Sequence, residues 1–276
     1  MKKNLLQFFG GLLIVYIVLC GMIVFSQRSM IYFPQPAMPE NLGKVILPNG
    51  YPIQLQTLDG INLTSYLSPP KYPDRPILIV FHGNGALALH LVEQFQKVMD
   101  DGYGVLFAEY RGYGGNDGKP TEDGLSKDAI AHLKFIKEKY PNTKIILYGQ
   151  SLGSAVAIDL AYRHPEKLAA LILEVPFDSV LNVADKSYPF IPFKNILLLD
   201  KYHSDKKIGK IFIPSLFLLA RQDEIVGFDG GQRLFELANE PKKIYIFDKA
   251  RHMDIYNFGA EKVVFDFIED VNQSAE

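Results

Sequence analysis

A serine flanked by glycines, in the stretch Gly149-Gln150-Ser151-Leu152-Gly153, has the residue types and spacing best suited to chemistry in this sequence. It follows the apolar run 145–148, which is typical of a buried strand, and an alanine-rich helical pattern begins directly after it. A sharp turn from strand to helix strains the backbone of its middle residue, and flanking glycines remove the Cβ atoms that would clash there. The pattern predicts a hydroxyl nucleophile at the carboxyl edge of a sheet, beside a helix N-terminus.

A serine nucleophile needs a general base, and the base needs an acid that orients it. His252 follows the last predicted strand, in a loop at the carboxyl end of that strand, so it is favoured over the other five histidines as the base for Ser151. Those five are expected to be structural or surface residues: His82 beside the first loop, His132 and His164 on solvated helix faces, and His90 and His203 without a motif around them.

The favoured acid is Asp223, which directly follows a predicted strand in "FLLARQDEIVG". It completes the chain order Ser, Asp, His that accompanies this kind of serine turn. Glu174, after the preceding strand, is the rival acid, and Glu224 is a weaker one. Without the serine and the histidine, Asp223 would be interpreted as a helix cap or a surface residue.

Attack by the serine on a carbonyl creates an oxyanion, which needs two backbone N–H donors. One is expected from Leu152, the residue after the nucleophile, and the other from the loop "FHGNG" after an earlier strand. In that loop we favour Asn84, with Gly85 as the alternative. The glycines at 83 and 85 allow the main chain to turn its amides inward.

The elements around these residues alternate between strands and helices. Apolar runs predict strands at 77–82, 103–108, 145–148, 169–174, 215–220 and 243–247, and periodic patterns predict helices at 86–100, 121–139, 152–163, 230–238 and 259–270. Asp59-Gly60 within 52–70 indicates a hairpin before them. Strands that read as continuous apolar runs are buried on both faces, so we predict an α/β fold with a mainly parallel central sheet and helices on both faces.

Composition excludes several classes of function. The chain has 276 residues and a formal net charge of −2, which gives no electrostatic reason for a nucleic-acid partner. Its one cysteine, Cys20, excludes a disulfide framework, and no Cys/His cluster has the spacing of a zinc site.

The motifs together resemble those of the α/β-hydrolases. "FHGNG" (81–85), "YRGYGGNDGKPTEDGL" (110–125), "GQSLG" (149–153), "RQDEIV" (221–226) and "RHMD" (251–254) carry the resemblance. The chain is most similar to membrane-anchored serine hydrolases of the ABHD type, related to prolyl-oligopeptidase and serine-aminopeptidase catalytic domains. The resemblance implies Ser151 as nucleophile, Asp223 as acid, His252 as base, and the amides of Asn84 and Leu152 as oxyanion donors.

The N-terminus has a different character from the rest. After two lysines the chain stays apolar over residues 5–26, with Gln7 as the one strongly polar interruption. Such a helix is roughly 33 Å long, close to the hydrocarbon thickness of a bilayer. We predict a transmembrane anchor at 1–30 and a catalytic domain at 31–276, with a buried core helix as the alternative. The lysines, set against Arg28, favour a single-pass protein whose domain lies on the non-cytoplasmic side.

A short segment between the strands ending at 174 and beginning at 215 is where a cap is expected. Its portion "YPFIPFKNILLL" predicts either an apolar pocket for an acyl chain, involving Phe190 and Phe193, or packing of the segment onto the sheet.

The function expected from these features is cleavage of ester or thioester bonds in a small-molecule or acylated substrate at the bilayer, without a metal or organic cofactor. A peptidase that acts on short peptides and a catalytically silent, membrane-tethered binding protein are the alternatives.

Overall fold

A computed structural model describes residues 2–39, 46–47, 49–72 and 75–273 of the chain. It begins with a single long helix, α1 (Lys2–Ile31). Within it, Gln7–Ile31 is long and apolar enough to cross a membrane. The predicted anchor therefore coincides with one continuous helix, which ends one residue later than expected.

The centre of the molecule is an eight-stranded sheet in the order β1-β2-β4-β3-β5-β6-β7-β8. β1 and β2 form an antiparallel hairpin, β2 is antiparallel to β4, and every further pair is parallel. The strands are β1 (Tyr51–Gln56), β2 (Asn62–Ser68), β3 (Ile77–Phe81), β4 (Gly104–Ala108), β5 (Ile145–Gln150), β6 (Ala170–Glu174), β7 (Ser215–Ala220) and β8 (Lys242–Phe247). The predicted mainly parallel sheet is confirmed.

Helices cover both faces of this sheet, and they divide the buried core into two layers. β3 shows the division, because Ile77, Ile79 and Phe81 belong to one layer whereas Leu78 and Val80 belong to the other. The helices after α1 are α2 (Gln96–Asp100), α3 (Glu122–Lys139), α4 (Leu152–Arg163), α5 (Val180–Ser187), α6 (Lys194–Leu197), α7 (Asp205–Ile208), α8 (Phe228–Leu237) and α9 (Ala260–Gln273). Buried side chains of α3, α4 and α8 lie in the first layer, and those of α2 and α9 lie in the second.

The predicted helix at 86–100 is wrong. Two short 3-10 turns, Ala88–Leu91 and Glu93–Phe95, stand in its first part, and only α2 is α-helical. Side chains accept hydrogen bonds from the main-chain amides at the start of this segment. The N–H of Ala88 donates to the Glu109 carboxylate at 3.0 Å, and the N–H of Leu87 donates to the His90 ring at 3.1 Å.

The short cap is the segment 175–214 between β6 and β7, which carries α5, α6 and α7. It packs against the second half of α1 as well as against the domain. Asp200 of the cap accepts a hydrogen bond from Arg28 of α1 (2.9 Å) and another from the amide of Glu122 (3.1 Å), the first residue of α3. The cap therefore connects the long N-terminal helix to the rest of the fold.

Candidate active site

Ser151 occupies the joint between β5 and α4, and its backbone is strained there. Its φ is 51° and its ψ is −115°, a conformation that non-glycine residues rarely adopt. Its amide is held by the carbonyl oxygen of Glu174 at 2.9 Å. The flanking glycines allow the close approach of α4 to the sheet. A Cβ at Gly153 would lie 2.1 Å from the carbonyl oxygen of Phe81, and one at Gly149 would lie 2.3 Å from that of Gly153.

Three predicted site residues meet at the carboxyl edge of the sheet, where β5, β7 and β8 end. The Ser151 hydroxyl lies 2.9 Å from Nε2 of His252, and Nδ1 of the same ring lies 2.7 Å from Oδ2 of Asp223. His252 is 3% exposed and Ser151 is 9% exposed. In the tautomer that fits both bonds, the ring donates to the carboxylate and accepts from the hydroxyl, as a general base must.

The turn after β7 fixes the carboxylate of Asp223 by accepting main-chain hydrogen bonds on Oδ1. The amides of Ile225, Val226 and Gly227 donate to that oxygen at 2.9, 3.0 and 3.3 Å. Burial alone would raise the pKa of Asp223. The hydrogen bond from His252 and the amides of the turn outweigh this effect, so the pKa lies below the ordinary value of a carboxyl group. Asp223 therefore remains an anion beside the imidazole.

The loop at 83–85 passes directly beside the nucleophile. A Cβ built at Gly83 would lie 3.4 Å from the Cβ of Ser151. Two donors hold the side-chain oxygen of Asn84, namely the hydroxyl of Tyr113 (2.9 Å) and the amide of Phe33 (2.8 Å). Among the described residues, the amides of Asn84 and Leu152 donate to no main-chain carbonyl. Neither amide is therefore committed to a main-chain acceptor, as the expected role of an oxyanion donor requires.

Glu174, the rival acid, forms no hydrogen bond with His252. Its carboxyl group accepts from the hydroxyl of Tyr148 and from Nε2 of Gln150 (3.1 Å). A second hydroxyl, that of Tyr256, lies 3.1 Å from the hydroxyl of Tyr148. Burial raises the pKa of Glu174, and these hydrogen bonds offset only part of the shift. The weaker candidate, Glu224, contacts the main chain of His252 rather than its ring, at 3.4 Å.

The remaining histidines lie away from this relay. His82 is buried and bonded to Glu109 at 2.7 Å, which agrees with the role in shaping the loop that was predicted for it. The predicted surface position of His132 is wrong, because this residue is fully buried between Ser65 (2.8 Å) and the carbonyl oxygen of Asp128 (2.7 Å). His90 is exposed, and His164 and His203 are half-buried.

Sequence reasoning missed the two donors that hold Asn84. Tyr113 lies in the stretch "YRGYGG" that was singled out, but the pattern alone did not indicate which tyrosine faces the oxyanion loop. Phe33 acts through its main chain, so its residue type carried no signal.

A cavity of about 150 Å³ lies between α1 and the cap. Its lining is almost entirely apolar and includes Ile23 and Ile31 of α1 with Val183, Ile191 and Leu198 of the cap. The aromatic residues expected to line an acyl pocket do not line it. Phe190 and Phe193 are 55% and 70% exposed and belong neither to the lining of the cavity nor to the buried core, so neither expectation for these two residues holds. Within the described part of the chain, no group of His, Cys, Asp and Glu side chains is arranged to hold a metal ion.

Comparison with known proteins finds hydrolases among the relatives of this chain. Residues 72–202 match the family described as serine aminopeptidase, S33. Protein bem46 of Schizosaccharomyces pombe is 33% identical over 292 residues, covering 99% of this chain and 96% of that protein. Lysophosphatidylserine lipase ABHD12 of Danio rerio is 32% identical over 187 residues, which cover 61% of this chain and 49% of that protein.

Solved structures support the fold. An esterase of Pyrococcus furiosus superimposes with a TM-score of 0.70 at 20% sequence identity. The superposition covers 87% of this chain and 98% of the esterase. At this level of identity the likeness concerns the architecture alone.

Proposed function

Because the chain belongs to the α/β-hydrolase superfamily, together with ABHD-type members, we propose that it is a membrane-anchored serine hydrolase acting through Ser151, His252 and Asp223. It is an ester-cleaving α/β hydrolase. The proposal adds the identity of the catalytic residues, the formation of an acyl-enzyme and the anchoring by α1.

The observation that carries the assignment is the continuous hydrogen-bond relay from hydroxyl to imidazole to carboxylate, with contacts of 2.9 and 2.7 Å. Three groups far apart in the sequence form it at one edge of the sheet. The strained backbone at Ser151 supports the same assignment, because strain of this kind is retained where it positions a reacting group.

In the proposed reaction, the Ser151 oxygen attacks the carbonyl carbon of the substrate while Nε2 of His252 takes its proton. The carboxylate of Asp223 stabilises the imidazolium. The amides of Asn84 and Leu152 donate to the oxyanion. His252 then protonates the leaving alcohol or thiol, and the acyl group stays on Ser151 as an ester. Water, deprotonated by His252, attacks this ester and releases the acid with the free serine.

The proposed substrates are esters or thioesters whose apolar part is an acyl chain. ABHD12 of Danio rerio is named as a lipase for lysophosphatidylserine. The cavity beside α1 is apolar enough for an aliphatic chain, although neither Ser151 nor His252 lines it. The description of the matching family as a serine aminopeptidase favours a second candidate, cleavage of aminoacyl amides. Amides demand closer positioning of the reacting groups than a lightly capped site offers, so we place this candidate second.

The test is a substrate series with a matched variant. The full-length protein in detergent should react with a fluorophosphonate probe, and Ser151→Ala should abolish labelling. Turnover of p-nitrophenyl esters should rise with acyl length, and aminoacyl amides should be poor substrates. Labelling that persists in Ser151→Ala would remove the nucleophile from the proposal, whereas turnover of amides alone would favour the peptidase.

The anchor and the domain division are part of the proposal. We propose residues 1–30 as a single-pass anchor and 31–276 as the catalytic domain, with the domain on the non-cytoplasmic side. Support comes from the apolar helix Gln7–Ile31, none of whose most apolar stretch is buried in the domain. Protease treatment of sealed inside-out and right-side-out vesicles checks the orientation. Digestion of the domain from the cytoplasmic face would contradict it.

A further inference from the structure

The long helix α1 does not leave the domain as a free stalk. At its middle, the hydroxyl of Tyr16 donates to the carbonyl oxygen of Phe190 in the cap at 2.5 Å. Close to its end, Gln27 donates to the carbonyl oxygen of Leu197 (3.2 Å) and accepts from the amide of Leu199 (2.7 Å). The cap therefore follows α1 from the middle of the helix to its C-terminal end.

The length of the contact between α1 and the cap determines how deep the cap lies in a bilayer that α1 crosses. From Tyr16 to Arg28 the helix rises about 18 Å, at about 1.5 Å per residue. The part of the apolar stretch before Tyr16 begins at Gln7 and is only about 14 Å long. A bilayer core of about 30 Å needs both parts of the helix. If α1 crosses a membrane, the cap must therefore accompany it for roughly half of the crossing.

The outward side of the cap has the composition that such a position requires. Phe190, Phe193, Ile196 and Leu199, which we call the cap face, are 55%, 70%, 72% and 62% exposed. They continue the exposed apolar surface of α1, where Val15 is 57% exposed. An apolar patch of this kind, next to a membrane-spanning helix, is typical of a surface in contact with lipid.

The charge in this part of the cap is compensated internally. Lys194 is the only Asp, Glu, Lys or Arg residue between residues 188 and 199. Its ammonium group lies 3.0 Å from the carboxylate of Asp185 and donates to the carbonyl oxygen of Tyr188 at 2.8 Å. The Lys194 side chain is 13% exposed, so it does not present its charge on the cap face.

We propose that the cap face lies in the acyl-chain layer of the bilayer leaflet next to the catalytic domain, and that the enzyme takes its ester from that leaflet rather than from water. This inference rests on the membrane anchor of the proposed function. Its basis is the continuity between the cap face and the apolar surface of α1. The cavity between α1 and the cap lies at the same junction, where Ile191, Leu197 and Leu198, next to the cap face in the sequence, line it.

The absence of tryptophan from the sequence allows a direct test of depth. Phe193→Trp and Ile196→Trp each place the sole tryptophan on the cap face. Val15→Trp places it on α1, and Phe212→Trp places it at an equally exposed position, 69%, before β7 and therefore at the opposite edge of the sheet from Ser151. Each full-length variant is reconstituted in phosphatidylcholine vesicles with brominated acyl chains, and quenching of its emission is measured.

We expect both cap-face tryptophans to be quenched at least half as strongly as the one at position 15, with blue-shifted emission, and the one at position 212 to be unquenched. Quenching at position 15 with water-like emission from the cap face overturns the inference and leaves the anchor intact. No quenching at position 15 overturns the anchor itself. Hydrolysis of p-nitrophenyl acetate at the parent rate verifies that each variant is folded.

A second experiment links depth to turnover. The double variant Phe193→Gln with Ile196→Gln should lower hydrolysis of a long-chain ester embedded in vesicles about tenfold or more, because a polar cap face leaves the leaflet. Hydrolysis of soluble p-nitrophenyl acetate should change less than about twofold. Phe212→Gln, the matched control, should change neither rate. Equal loss on both substrates in the double variant would contradict the inference.

Discussion

Asp223 and Glu174 are carboxyl groups from neighbouring strand ends, but their surroundings assign them different tasks. Asp223 is held as an anion against the imidazole of His252. Glu174 accepts from Tyr148 and Gln150 in a buried network, and its main-chain oxygen holds the amide of Ser151. The sequence favoured Asp223 and left Glu174 as its rival, and the hydrogen-bond partners of the two side chains distinguish them in the structure.

A pair of amide substitutions separates these roles. Asp223→Asn should lower kcat on the order of 10³–10⁴-fold, because the amide favours the wrong tautomer of His252. Glu174→Gln should stay within about threefold of the parent, since its amide can still accept from Tyr148. Ester hydrolysis at pH 8 measures both, and thermal unfolding serves as the control for folding. A loss of kcat in Glu174→Gln as large as that in Asp223→Asn would contradict this division of roles.

The strand-to-helix turn at Ser151 was the part of the site that the sequence predicted best. The two glycines at 149 and 153 are required by main-chain contacts closer than any Cβ allows, so their spacing carries the geometry in the sequence itself. The two donors to Asn84 could not be predicted from the sequence. One is the main-chain amide of Phe33, and the other is one of several tyrosines in a glycine-rich loop.

At the scale of elements, strands were more predictable than helices. β3 to β7 are buried on both faces and read as continuous apolar runs. The segment 86–100 has a helix-like pattern in the sequence, but only α2 at its end is α-helical. Its amides bind side chains such as Glu109, which the sequence does not place nearby. Tertiary hydrogen bonds outside the segment therefore determined its local structure.

Helix α3 provides a pH-dependent contact with the hairpin through His132. This ring is fully buried, and burial lowers its pKa from the ordinary value of 6.5 to about 4. The folded protein therefore keeps His132 neutral while the unfolded chain takes up a proton below about pH 6.5. Because the unfolded state binds more protons in this window, stability falls as the pH decreases from about 6.5 towards 4.

We expect this histidine to cost about 2 kcal/mol of unfolding free energy between pH 7 and pH 5. His132→Gln, which remains neutral, should lose correspondingly less stability over the same interval. Urea unfolding in detergent, followed by circular dichroism at both pH values, measures the difference. An identical loss in the parent and in His132→Gln would show that other groups dominate the acid sensitivity.

At the scale of the whole molecule, Asp200 joins three parts of the chain. Its buried carboxylate binds Arg28 of α1 and the amide of Glu122 at the start of α3, while it belongs to the cap itself. In return, the carboxylate of Glu122 accepts from the amides of Lys201 and Tyr202 at 2.8 and 2.9 Å. The orientation of the long helix therefore depends on a few hydrogen bonds at this junction.

Asp200→Ala should lower the free energy of unfolding by about 1–3 kcal/mol, since it leaves a buried amide and a guanidinium without their acceptor. Arg28→Ala should cost less, because the Arg28 side chain is half exposed and the bond to Glu122 remains. Asp229→Ala is the surface control. The Asp229 side chain pairs with Lys186 and is 80% exposed, so this substitution should have almost no effect on stability. Thermal unfolding in detergent ranks the three. If Asp229→Ala lost the most stability of the three variants, the hydrogen bonds of Asp200 would not be the ones that stabilise this part of the fold.

The hydrogen bond from Phe33 to Asn84 has a practical consequence for anyone preparing a water-soluble form of this enzyme. A cut just after α1 keeps that amide, whereas a cut a few residues further along removes one of the two hydrogen bonds that hold Asn84, in the loop proposed to bind the oxyanion. Such a truncated protein would be soluble and folded but would hydrolyse its substrate slowly. The start site of such a shortened chain is therefore a matter of chemistry as much as of solubility.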